Sequence, residues 1–268
     1  MKLQLEREKL DTLASAVKNA GLYAKEQQAN IHRSYKNDGS VITETDLAIS
    51  KRILSLISEL FPEANIISEE TLTAYRSDAP YTFVLDPIDG TDVYSQGLPS
   101  WAVALGVLDN NRKPVGAYIC APRWGIGTDG LFLRLDPGGN LMVNDALFEA
   151  KGDKDHPHQI TMGSSGQRLM DLSNFEGKIR IFGSSIIHML SPVIYDHFQG
   201  CINQSCYIWD IVASHAVLLH AGMDIQYVDG KSFVYDDALV LERKPFPLSF
   251  YAGTPRCIEE MKRQIPAK

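Results

Sequence analysis

The sequence predicts layered sheets and helices, α+β in its first half and α/β in its second. Three observations point that way. Two amphipathic helical patterns open the chain, strand-like segments occupy the next stretch to about residue 144, and strand and helix patterns alternate from about residue 159. No repeat, low-complexity tract or flexible linker separates the halves. Residues 1–145 and 146–268 are therefore expected to form one compact body.

The elements follow in order. Leu10, Leu13, Val17, Ala20 and Ala24 recur at near-helical spacing and predict one long helix over about residues 3–29. After a break at 32–42, Thr45 and Asp46 read as helix-start residues for a second helix carrying Leu47, Ile53, Leu54, Ile57 and Leu60, closed by Pro62. Strands are expected at 65–67, 81–85, 101–108, 115–120, 130–135 and 141–144. The second half then reads as a strand at 159–162, a helix near 168–174, a strand at 179–182 and a helix from Ser184. A helix from Trp209 to Ala221 follows, capped by Gly222, then strands near 224–228 and 248–252 and a last helix from Thr254.

Composition narrows the function. The chain has 268 residues, 26 Lys+Arg against 33 Asp+Glu, and a formal net charge of −7. An acidic balance with no Lys/Arg block argues against neutralising a nucleic-acid backbone, so no nucleic-acid partner is expected. No apolar run approaches the roughly 18 residues that span a bilayer, so no membrane partner is expected either. Cys120, Cys201, Cys206 and Cys257 show no CxxC spacing and no signal peptide is apparent, which places the expected home in the reducing cytoplasm. An acidic protein that handles a small anion needs a cation to attract it, and a bound metal is the leading candidate.

The strongest local signal is Val84-Leu85-Asp86-Pro87-Ile88-Asp89-Gly90-Thr91. An apolar strand ends at Asp86, Pro87 holds that residue extended, and Gly90 supplies backbone angles closed to other residues, so the turn returns Asp89 toward Asp86. Asp86, Asp89 and the Ile88 carbonyl then form a half-site of hard oxygens suited to Mg²⁺. Three further acidic segments accompany it: Thr43-Glu44-Thr45-Asp46, Ser68-Glu69-Glu70 after a strand, and Trp209-Asp210 at a helix start. Alone, Ser68-Glu69-Glu70 reads as a solvated face, Trp209-Asp210 as a cap or dipole partner, and Thr43 to Asp46 equally well as a helix cap.

Together, in this order, the four segments resemble the inositol monophosphatase family of Mg²⁺-dependent, lithium-sensitive phosphatases, from about Lys36 to Gly230. The resemblance implies an αβαβα sandwich and hydrolysis of a small phosphorylated metabolite, a phosphate monoester of an inositol, sugar or polyol, by direct attack of metal-activated water. It implies two or three Mg²⁺ ions held by Glu69, Asp86, Ile88, Asp89 and Asp210, with most ligands in the first half and with Li⁺ and Ca²⁺ inhibitory. Catalytic roles then fall to Glu69, Thr91 and Asp46 around the attacking water. Substrate contacts fall to Asp89, Gly90, Thr91, Gly183, Ser184, Ser185, Asn203 and Asp210, with Lys36 and Glu70 as further candidates. A homodimer is implied in the same way. Gly183-Ser184-Ser185 also agrees with elementary physics, because a strand leading through small residues into a helix offers unpaired N–H groups to an anion.

Other phosphate chemistries leave signatures that are missing. Gly230-Lys231-Ser232 has Ile225 where a phosphate-binding loop needs glycine, and Gly163-Ser164-Ser165-Gly166 is not GxSxG. Cys257 to Arg263 has Cys-x5-Arg spacing but sits in helical periodicity with Glu259 and Glu260. None of the seven histidines is assigned a catalytic role.

Two departures bear on the substrate. The family's inositol-binding carboxylate lies seven residues before the Asp of WD, where this chain has Asn203. The segment Asp92 to Gly97 also differs from the usual aromatic run after DGT. Related branches act on fructose 1,6-bisphosphate, histidinol phosphate, 3′(2′),5′-bisphosphate nucleotides or NADP, and these remain enzymatic alternatives. A regulatory interaction protein with a vestigial metal site is the non-enzymatic one.

Overall fold

In the computed structural model, which describes residues 2–31, 33–35, 39–126, 130–204 and 206–268, the apolar stripe of the first helix is buried as its spacing requires. Helix α1 (Lys2–Gln27) turns Leu13, Val17, Ala20 and Ala24 inward and ends in a 3₁₀ turn over Gln28–Asn30. A small ribbon of β1 (Ser34–Tyr35) and β2 (Val41–Ile42) leads to α2 (Glu44–Leu60), which buries Ile49, Ile53 and Ile57. That helix starts earlier than expected. Thr43 is its N-cap, and Asp46 in the first turn accepts the Thr43 N–H at 2.9 Å, one half of a capping box.

The first sheet contains β3 (Asn65–Ser68) and β4 (Tyr81–Asp89), then, after α3 (Thr91–Ser95), β5 (Ala102–Asp109), β6 (Pro114–Ala121), β7 (Leu131–Leu135), β8 (Leu141–Val143) and β9 (Ala146–Leu147). These strands lie in chain order, antiparallel except for the parallel pair β3 and β4. The rest of the chain supplies β10 (Gln159–Met162), α4 (Gly166–Leu169), β11 (Lys178–Arg180), α5 (Ser185–Ile194) and β12 (Gly200–Asn203). After these come α6 (Val212–His220), β13 (Asp224–Tyr227), α7 (Asp237–Val240), β14 (Phe250–Gly253) and α8 (Pro255–Gln264). The second sheet has the order β11-β10-β12-β14-β13, with β10 parallel to both of its neighbours and β14 antiparallel to both of its own.

The stacking gives the αβαβα sandwich. α1 and α2 cover one face of the seven-stranded sheet, α6 with α5 covers the other, α5 also lies on β10 and β12, and α8 packs on β14. Three apolar clusters fill the spaces between these layers. One close approach sets the middle of the stack: a Cβ at Gly106 of β5 would lie 2.5 Å from Val212 Cγ1 and 2.7 Å from Ala213 N of α6.

Several elements differ from the sequence reading, three of them for a local reason. Trp209 and Asp210 belong to a 3₁₀ turn (Ile208–Asp210), and α6 begins only at Val212, because Ile211 at φ −137° breaks the helical path. The helix expected near 168–174 is the single turn α4, since Met170 leaves it to form a bridge with Ala267. Strand β12 is absent from the expectation altogether. Its four residues are all buried, so Gly-Cys-Ile-Asn shows no inside–outside alternation from which a strand could be read.

Candidate active site

In a regular strand, residues 86 and 89 would face opposite sides of the sheet. Here Asp86 pairs with Ala104 and Asp89 with Ala102, so three steps on β4 oppose two on β5. This bulge brings the two carboxylates to the same side. Pro87 within it has no N–H to contribute to the ladder. Gly90 then takes φ +86° and starts α3; a side chain there would meet Val93 at 3.1 Å and Ser184 at 3.2 Å.

Asp210 reaches the same point from the 3₁₀ turn before α6, where it accepts the Tyr207 N–H at 2.5 Å. Among the described residues, Asp86, Asp89 and Asp210 form the one group whose metal-ligating atoms lie within 4.8 Å of one another. Three carboxylates that close repel each other unless protons or a cation intervene. Burial, followed by the charges of Glu69, Asp89 and Asp210, pushes the Asp86 carboxyl well above its ordinary range. Asp210 is raised well above its range too, again by burial first and then by Asp89. Asp89 rises only to about 6, because hydrogen bonds from Ser184, Ile186 and Ser185 oppose its burial.

Asp86 Oδ1 is buried and has no hydrogen-bond partner among the described residues. A buried carboxylate oxygen without a donor, beside two more carboxylates, fits a hard divalent cation and fits nothing apolar.

Around this centre stand the other expected residues. Thr91 Oγ1 lies 2.8 Å from the Ile88 carbonyl and 3.2 Å from Asp46 Oδ1. Asp46 Oδ2 accepts both the N–H and the hydroxyl of Thr43, and burial raises its carboxyl to about 6. Thr43 is the residue that sequence reasoning misses, although it opens the segment Thr43-Glu44-Thr45-Asp46. Glu69 and Glu70 follow β3 and are half-buried. Glu69 is outside the tight cluster, yet its charge acts on both Asp86 and Asp210. Lys36 lies outside the described residues.

Two expectations need correction. The N–H groups at the start of α5 are not unpaired: Ser185 N–H (3.3 Å) and Ile186 N–H (2.7 Å) donate to Asp89, as does the Ser184 hydroxyl, and Ile187 N–H donates to Ser184 Oγ at 3.1 Å. A carboxylate of the cluster therefore occupies the helix terminus expected to face substrate. Asn203 is 1% exposed, and its amide donates to the Ser185 carbonyl at 3.4 Å. Its amide braces the first turn of α5 instead of presenting itself to solvent. Behind it, His188 accepts the Phe182 N–H at 2.8 Å and is lowered by burial to about 4, so it stays neutral.

The fold and the site together define a layered α/β protein with a cluster of three carboxylates that could hold a divalent cation. The chain belongs to the inositol monophosphatase family, whose model matches residues 6–254. It is 23% identical to the Nus factor SuhB of Pasteurella multocida over 252 residues, 90% of this chain and 88% of that one. It is 25% identical to the fructose-1,6-bisphosphatase/inositol-1-monophosphatase of Aquifex aeolicus over 237 residues, 83% and 84% of the two chains. The fold matches an IMPase/NADP phosphatase solved with Mg²⁺ and phosphate at a TM-score of 0.78 and 18% identity, covering 97% of this chain and 95% of that one. Family membership supports metal-dependent phosphatase chemistry and leaves the substrate open. No helix among the described residues is long and apolar enough to cross a membrane.

Proposed function

We propose that this protein hydrolyses a small phosphate monoester of a sugar, inositol or other polyol in a Mg²⁺-dependent reaction. The observation that carries this reading is Asp86 Oδ1, buried and without a donor among the described residues at the meeting point of three carboxylates. Asp86, Asp89 and Asp210, with Glu69 and the Ile88 carbonyl, would hold the cations. When bound, Mg²⁺ would supply the positive charge that lets a dianionic phosphate approach an acidic pocket, and would acidify the attacking water.

The chain's own residues do the rest. Thr91 has one hydroxyl proton; with it turned toward Asp46, a lone pair on Oγ1 is free to accept from water. Asp46, raised to about 6, is basic enough to take the proton that Thr91 passes on. Water oxygen then bonds to phosphorus, the ester P–O bond breaks, and the alcohol leaves with a proton from solvent. Asp89 anchors α5 to the cluster, so Ser184, Ser185 and Gly183 shape the substrate side through that anchor.

The Aquifex aeolicus relative's double name and the phosphate-bound IMPase/NADP phosphatase both support a phosphoester substrate. The name of the SuhB relative favours a regulatory binding role, and the clustering of Asp86, Asp89 and Asp210 speaks against it. The deciding experiment assays phosphate release from inositol 1-phosphate, fructose 1,6-bisphosphate, histidinol phosphate, adenosine 3′,5′-bisphosphate and NADP, with Mg²⁺ and with EDTA. Mg²⁺-dependent release from a monoester is expected. No turnover across the panel at any Mg²⁺ concentration would overturn the reading.

A further inference from the structure

Arg243 follows α7 in a left-handed conformation, φ +52°. Its guanidinium crosses to the loop between β3 and β4, residues 69–80. Nη1 donates to the Thr71 carbonyl at 2.7 Å and reaches the Ser68 carbonyl at 3.4 Å, while Nη2 reaches the Thr73 carbonyl at 3.4 Å and the Thr73 hydroxyl at 3.3 Å. The Thr73 hydroxyl in turn donates to the Ile66 carbonyl on β3. Glu69 and Glu70 thus lie between the anchor points of one planar fork.

This loop needs such a brace. The Glu69 N–H reaches the Leu85 carbonyl only at 3.4 Å, and nothing periodic orders the residues after it. Five fixed N–H donors make arginine suited to holding several carbonyls at once, where lysine offers a single point charge. Three residues beyond Arg243, the Phe246 N–H donates to the Cys206 carbonyl at 2.8 Å, just before the turn that carries Asp210. The short segment 243–246 therefore touches both walls of the carboxylate centre.

We infer that Arg243 is a positioning residue for cation binding: its hold on the Ser68–Thr73 backbone keeps the Glu69 carboxylate turned toward Asp86. The inference rests on the function proposed above, with Glu69 as a ligand. Groups that orient metal ligands typically change metal affinity by about 10- to 100-fold when removed.

The test is Mn²⁺ binding to the chelator-stripped full chain, read as free Mn²⁺ by electron paramagnetic resonance, for the wild type, R243A, R243K, E69Q and R243A/E69Q. R243A should weaken binding about 10-fold or more, R243K should fall between, and added guanidinium should restore R243A. The double variant should bind no more weakly than E69Q alone, because both changes act through one ligand. Wild-type affinity in R243A, or full additivity in the double variant, would overturn the inference. If R243A does not fold, wild-type affinity in R243K together with additivity in R243K/E69Q would do the same. A wild type that binds no Mn²⁺ would instead overturn the proposed function itself.

Discussion

Asp89 accepts the Ile186 N–H at 2.7 Å, so one carboxylate belongs both to the acidic cluster and to the N-terminus of α5. The substitution Asp89→Asn is nearly isosteric but has one acceptor oxygen, and its amide protons face the N–H groups that the carboxylate now accepts. Phosphate release should fall by orders of magnitude while circular dichroism stays native. Relief of repulsion with Asp86 and Asp210 should offset much of the lost helix contact, leaving stability within about 1–2 kcal/mol of wild type. Near-normal turnover would remove Asp89 from the metal site.

Asp86 makes the opposite kind of test. Its buried oxygen without a donor is a cost in the metal-free protein, so Asp86→Asn in EDTA should raise the melting temperature, by the equivalent of about 1–3 kcal/mol. The same variant should lose the stabilisation that Mg²⁺ gives the wild type. A lower melting temperature in EDTA would show that the isolated carboxylate is no burden to the metal-free fold.

The pH dependence has a definite sign. Asp46 and Asp89 have folded values raised from 3.8 to about 6, so the native state binds more protons than the unfolded chain between those values. Each then makes metal-free stability fall as pH rises through that window, by about 1.4 kcal/mol for every pH unit crossed. Asp86 and Asp210, raised by burial and by the charges around them, act in the same direction. His188, lowered from 6.5 to about 4, acts the other way. The increment in melting temperature caused by Mg²⁺ cancels the histidine, and it should grow from pH 5 to pH 7 as protons leave the carboxylates. Differential scanning calorimetry with Mg²⁺ and with EDTA gives that increment, and one that shrinks across this range would contradict the assignment.

Gly90→Ala probes the left-handed turn. At φ +86°, with Val93 and Ser184 within 3.2 Å of an added methyl, it should cost about 1–3 kcal/mol by urea denaturation. Activity should fall with it, because Thr91 is the next residue and Ser184 donates to Asp89. A stable and fully active variant would mean that the turn relaxes without disturbing either residue.

Much of this architecture is legible in the chain. The stripe Leu13, Val17, Ala20 and Ala24, the strand 159–162 and the DPIDGT turn can each be read within a few residues, because helix and strand periods are local. What the sequence misleads on depends on distant partners. Trp209-Asp210 passes for a helix start because its apolar neighbours continue a helical rhythm, and only the backbone at Ile211 separates the two. Strand β12 is invisible because burial on both faces erases alternation. The N–H groups of α5 look open because their partner, Asp89, comes from the other half of the chain.

The sequence by itself determined the fold class and the kinds of group that could meet: hard carboxylate oxygens, a threonine beside them, glycines where the turns are left-handed. The tertiary structure alone decided which of them touch. Asp210 joins Asp86 because α6 lies tight on β5 at Gly106, and Asp89 serves α5 because a bulge in β4 turns it to the side of Asp86. Periodicity carries information over three or four residues, whereas these contacts are set by how whole layers pack. Arg243 shows the same limit, since nothing near it in the chain marks the loop it holds.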